Sequence, residues 1–113
     1  MVGKFVKIRF KRYFSGQSLW IFVGKVMEFS ENWIKVEGKG LVFTTGQVSV
    51  KSPIEVDDGI RTLLIPRENI AHIRELPNSF DLTNIQTERR GLRYYIVLED
   101  APDASLGEIG EIA

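Results

Sequence analysis

The chain contains no cysteine and a single histidine, His72. The first absence excludes disulfides, thiol nucleophiles and thiolate metal sites. The second leaves too few ligands for a usual zinc site and no spare imidazole to activate a serine or threonine. A net charge is missing too: 15 Lys and Arg balance 15 Asp and Glu. No apolar run approaches the ~20 residues that a membrane span needs. The opening residues MVGKFVKIRFKRYF are broken by charge at almost every second position and lack a signal peptide's apolar block. The Gly38-Lys39-Gly40 run lacks the spacing of a phosphate loop. Asp57-Asp58 precedes Gly59 in turn context, where a solvated turn is expected before a catalytic pair. These absences lead to the expectation of a soluble, cytoplasmic, non-enzymatic protein without metal or cofactor.

What is present suits one compact domain: 113 residues, 43% hydrophobic and 27% charged. The charge is unevenly spread. Lys4, Lys7, Arg9, Lys11 and Arg12 make the first twelve residues purely basic, and Glu99, Asp100, Asp103, Glu108 and Glu111 make the last fifteen purely acidic. This asymmetry fits a nucleic-acid face with an acidic tail, or two solvated ends that pair with each other.

Strand patterns dominate. Val6, Ile8 and Phe10 alternate with Lys7, Arg9 and Lys11. Leu19 to Phe29 is apolar on both faces, with Leu19, Ile21, Val23 and Met27 on one and Trp20, Phe22 and Val26 on the other. That suits a closed or strongly bent sheet, and Gly24 in its middle marks a bend or a close backbone approach. Ser30-Glu31-Asn32 reads as a tight turn before a strand from Trp33 to Val36. Glu37-Gly38-Lys39-Gly40 reads as a bulge or loop. Leu41 to Phe43 and Val48 to Val50 then suggest a second hairpin, limited by Pro53 to an edge or bulge. In LLIPRENIAHIREL, a strand from Thr62 to Ile65 is stopped by Pro66. Pro66 to Asn69 can form one helical turn, and Ile70 to Leu76 leaves as a strand, carrying His72 in a structural role. Pro77 to Arg90 is a loop or short helix, Leu92 to Leu98 a strand. The expected core is Leu19, Ile21, Val23, Val26, Phe29, Ile34, Val36, Leu64, Ile70 and Ile73.

Two segments carry a family resemblance. GKVMEFSENWIKV places Gly24, then Val26, Phe29, a polar turn and an apolar strand. LLIPRENIAHI is strand, single turn, strand. In this order they resemble the two motifs of the Sm-like family, which includes the LSm proteins and Hfq, and they cover about half of the chain with the elements between them. The resemblance implies an all-β fold: a small, strongly bent antiparallel barrel of the Sm-like (SH3-type) kind over residues 1–99. Expanded loops, an extra C-terminal strand and an acidic flexible tail over residues 100–113 complete the expectation. The family's N-terminal helix is replaced by a basic strand pattern. Ser30 stands at the first motif's acidic position and Ile34 at its asparagine, with Asn32 two residues earlier. Arg67 and Glu68 stand where Hfq has lysine and histidine, and Asn69 where several members have a polar residue.

The resemblance also implies a homo-oligomeric ring of about five to seven subunits, in which one sheet edge pairs with the neighbour's other edge. Asn32, Arg67 and Asn69 would then meet near the pore as candidate RNA-binding residues. An amide can read a base edge, and a guanidinium can bind a phosphate or stack. Arg9, Lys11 and Arg12 beside Phe10, Tyr13 and Phe14 offer a second basic and aromatic set. The competing reading on the same barrel is an oligomeric scaffold or adaptor that binds protein partners and not nucleic acid.

Overall fold

The computed structural model describes residues 2–11, 19–43, 54–91 and 93–108. The fold is all-β and antiparallel. Strands β1 (Phe5–Phe10), β2 (Trp20–Phe29), β3 (Trp33–Phe43), β4 (Ile54–Val56), β5 (Arg61–Pro66) and β6 (Ile70–Glu75) form one sheet. Strands β7 (Thr87–Arg90), β8 (Arg93–Ile96) and β9 (Ala104–Glu108) form a second. Along the first sheet the order is β4-β3-β2-β1-β6, with β5 on the same side of β3 as β4 and pairing with its first half.

That order forces curvature. β5 and β6 stand at opposite sides of the sheet, yet only the 3-10 turn Arg67–Asn69 joins them. In a flat sheet four strand spacings would separate them by roughly 19 Å. The four peptide steps from Pro66 to Ile70 reach at most about 14 Å. The sheet is therefore strongly bent.

Glycines permit the bend. Gly24 and Gly38 face each other in the β2–β3 register. A Cβ on either would overlap the other strand's backbone. Gly24 is thus the close approach its position suggested. The run Glu37 to Gly40, expected as a bulge or loop, instead continues β3 without a break.

Two bulges reset the alternation. In the β2–β3 pair Val26 faces Val36 and Glu28 faces Lys35, so Met27 is the extra residue. Met27 is exposed, not part of the apolar face assigned to it from strict alternation, and Trp20 at the other end of β2 is also exposed. In the β1–β6 pair Arg9 faces His72 and Phe10 faces Ile70, which leaves Ala71 as the extra residue. This brings Ile70 and Ile73 to one face, although simple alternation separates them.

Two apolar clusters result. The inner one holds Val6, Ile8, Phe22, Val26, Ile34, Val36 and Ile65, with Phe10, Leu63, Ile70 and Ile73 partly buried against it. The outer one lies between the two sheets and joins Leu19, Ile21, Val23 and Leu41 to Leu76, Tyr94, Ile96, Ala104 and Leu106. The loop before β7 contributes Phe80, Leu82 and Ile85, and Phe80 meets Phe5 edge to face at 5.7 Å.

Leu64 and Phe29 depart from the expected core, with exposures of 63% and 46%. Leu63 and Ile65 take the inward positions of β5, so Leu64 points outward; Phe29 sits at the very end of β2. The C-terminal part departs further. One strand was expected after residue 90, but Thr87–Arg90 and Ala104–Glu108 flank it as partners. Ala104 and Leu106 are buried, so the flexible tail expected from residue 100 is corrected for residues 104–108. Val48 to Val50 and Pro53 lie outside the described residues, and β4 at Ile54–Val56 supplies the partner of the end of β3. Among the described residues no helix is long and apolar enough to cross a membrane.

Candidate nucleic-acid interface

The turn between β2 and β3 is built by Ser30. Its Oγ accepts the backbone N–H of Asn32 at 3.2 Å and of Trp33 at 3.3 Å, and its own N–H donates to the Trp33 carbonyl at 2.8 Å. A hydroxyl can close such a turn where a carboxylate would otherwise serve. The bonds that hold the turn come from Ser30 and the backbone, which leaves the exposed Asn32 amide outside this network.

The 3-10 turn docks on it. The Arg67 N–H donates to the Asn32 carbonyl at 2.9 Å, continuing the β3–β5 ladder in which Trp33 faces Pro66. Arg67 Nε donates to the Ser30 carbonyl at 2.7 Å. On the other flank the Asn69 carbonyl accepts the N–H of Lys11 at 2.8 Å. Asn32, Arg67 and Asn69 thus stand at one end of the bent sheet, with Arg67 and Asn32 directly bonded through the backbone. Arg67 keeps its guanidinium exposed while one N–H is spent on Ser30. Phe29, assigned to the core from sequence, adds an exposed ring at this end of β2. Its exposure follows from the bulge and the strand end, which alternation cannot foresee.

Only Arg9, Phe10 and Lys11 of the basic and aromatic N-terminal set lie among the described residues. Phe10 packs against the inner cluster, and Arg9 stands on the opposite face of β1. Arg12, Tyr13 and Phe14 lie outside the described residues.

Other polar groups found in the sequence have structural employment. Asp57 Oδ2 accepts the Gly40 N–H at 2.9 Å and pairs with Arg61 at 3.1 Å, which pins the turn between β4 and β5 to β3. Asp103 Oδ1 accepts the Leu98 N–H at 2.8 Å, and its carboxylate also bonds Arg90; these two contacts hold its pKa below the usual carboxylate range. Among the described residues, no three His, Asp or Glu side chains converge as metal ligands would.

His72 lies in a strand, as its pattern suggested. It is exposed on β6, and partial burial, then Lys7, then Arg9 push its pKa down. Lys7 itself is 3% exposed and donates from Nζ to the Ser105 carbonyl of β9. Burial, helped by Arg74 and Arg9, lowers its pKa to about 8. In the sequence Lys7 belongs to a basic run that fits a nucleic-acid face or a solvated end pairing with the acidic one.

Comparison with models of known protein families, with curated proteins and with solved structures finds no match for this chain.

Proposed function

We propose that this protein is a non-enzymatic, Sm-like ring-forming protein that binds single-stranded RNA at the end carrying Asn32, Arg67 and Asn69. One observation carries the reading. β5 and β6 flank a single short turn and occupy the two outer edges of a strongly bent sheet, and neither pairs with β7, β8 or β9. Among the described residues no further strand pairs with the outer edge of β5 or β6, which leaves both to a neighbour. An open edge rich in Leu63, Leu64 and Ile65 is a hazard unless it is paired. Joining the β5 edge of one subunit to the β6 edge of the next is a heterologous contact, which closes into a ring when the rotation fits. The turns at Asn32 and Arg67 would then repeat around the ring axis.

Light scattering during gel filtration tests the assembly: a discrete species of about five to seven subunit masses is expected, and a monomer stable at micromolar concentration contradicts it. Binding of single-stranded homopolymers at several salt concentrations tests the ligand. Arg67→Ala should weaken binding and reduce the salt slope by about 0.7, one phosphate's worth for a single strand. Asn32→Ala should weaken it more for some bases than others.

A scaffold that binds protein partners is the second reading. The exposed Leu64 and the engagement of Arg67 with Ser30 favour it. Failure of every homopolymer at low salt, with the ring intact, would select it.

A further inference from the structure

The second sheet has two outer strands, and their edges are protected differently. β7, on one side, reads Thr87-Glu88-Arg89-Arg90, with every residue exposed. Charged side chains along an edge strand discourage pairing with another chain. β9, on the other side, reads ASLGE and holds one charged residue, at its last position. Its own sequence offers little of that protection.

The main sheet supplies it. Lys7 of β1 donates from Nζ to the Ser105 carbonyl. Arg74 of β6 donates from Nη1 to the Asp103 carbonyl at 3.2 Å and from Nη2 to the Pro102 carbonyl at 2.7 Å. Carbonyls two residues apart on a strand point to the same side, so those of 103 and 105 are met along one flank. Lys7 and Arg74 face each other in the β1–β6 register, which sets them side by side beneath that flank. Among the described residues β9 pairs with β8 alone. The two cations therefore fill acceptor positions that the N–H groups of a further strand would fill.

This arrangement is costly. Like charges directly opposite each other on a sheet are destabilising, and Lys7 is 3% exposed. An apolar residue at position 7 would avoid both penalties. It would also leave the Ser105 carbonyl without its donor.

We propose that Lys7 and Arg74 guard the β9 edge and keep it from pairing with β9 of a second copy of this chain. A second copy is the partner that fits, because an edge strand meeting its own copy about a twofold axis makes an isologous contact. The guarded edge is not one of the β5 and β6 edges, so the proposal does not rest on the ring.

The test compares the double variant Lys7→Met/Arg74→Met with the parent protein by light scattering during gel filtration at matched concentrations. The variant should form species at multiples of the parent mass, beginning at about twice that mass. Backbone amides of Ala104–Glu108 should exchange more slowly in those species than in the parent. Adding Ser105→Glu should restore the parent mass. It gives β9 a charge of its own beside Arg93, whose Nη1 donates to Ser105 Oγ at 3.1 Å, and pairing would bring two such charges together. Arg74→Lys alone keeps a donor at the edge and should leave the mass unchanged. If the double variant loses the second sheet, Arg74→Met alone decides by the same measurements. An unchanged mass at every concentration with β7–β9 still folded overturns the proposal. So does association in which the β8–β9 amides lose protection, because that is aggregation of an unfolded sheet.

Discussion

Inside the bent sheet, Val6, Ile8, Phe22, Val26, Ile34, Val36 and Ile65 meet only apolar neighbours in their cluster. Between the two sheets, Leu19, Ile21, Val23 and Leu41 meet Ile96, Ala104 and Leu106, but at one margin the contact passes to cations. Lys7 and Arg74 there reach across to backbone carbonyls at 102, 103 and 105. Strand β2 contributes to both regions through its opposite faces. The inner region is held by apolar burial, which is indifferent to pH. The outer region is held partly by charged donors, one of which is charged at a cost. The C-terminal sheet should therefore respond to pH and charge substitution where the main sheet does not.

The largest effect tests the inner region. Phe22→Ala should cost about 3–5 kcal/mol, through lost transfer energy and a cavity, and should lower the urea midpoint of the whole domain. A loss below about 1 kcal/mol would mean that the inner cluster is not the principal core.

Lys7 sharpens the contrast. Its folded pKa of about 8 lies below its ordinary value of 10.5, so between those pH values the unfolded chain binds more protons. Stability from this group therefore rises as pH increases from about 8 to 10.5, and the full penalty is present below 8. The difference is roughly 3 kcal/mol. Lys7→Met should remove this rise, seen by comparing urea midpoints of the two proteins at pH 7 and 10.5. Parallel pH profiles would show that Lys7 is solvated.

Leu106→Ala, also in the outer region, should cost about 2–4 kcal/mol locally. Hydrogen exchange should report faster opening of β7–β9 than of β1–β3; uniform acceleration would show the two regions unfolding as one unit. Arg74→Gln should produce the smallest change, about 1 kcal/mol for two charge-assisted bonds that are partly open to water, and again in β9 first.

Sequence legibility follows the same division. The strand–turn–strand unit was readable because Pro66 marks a stop and Ile65 and Ile70 resume apolar patterns on either side. Gly24 was readable because a mid-strand glycine has few other uses, whereas its partner Gly38 sits in a run whose composition suggests a bulge or loop. Bulges at Met27 and Ala71 were not readable: one inserted residue shifts every later side chain, and composition does not mark it. The outer region was least visible. Ala104 and Leu106 are sparse apolar residues among acids, and their burial depends on strands distant in sequence. At the candidate site, the proximity of Asn32 and Arg67 was expected from the resemblance. The placement of Lys7, Arg9, His72 and Arg74 on one face came only from the register of β1 with β6.

The proposed ring joins the outer edge of β5 to the outer edge of β6 of the next subunit. Hydrogen exchange of the backbone amides in Arg61–Pro66 and Ile70–Glu75 that do not bond to β3 or β1 measures this directly, when followed against protein concentration. In a ring these amides should be protected at micromolar concentration and lose protection together as dilution breaks it. Exchange at unprotected rates at every concentration, in a species of monomer mass, would contradict it.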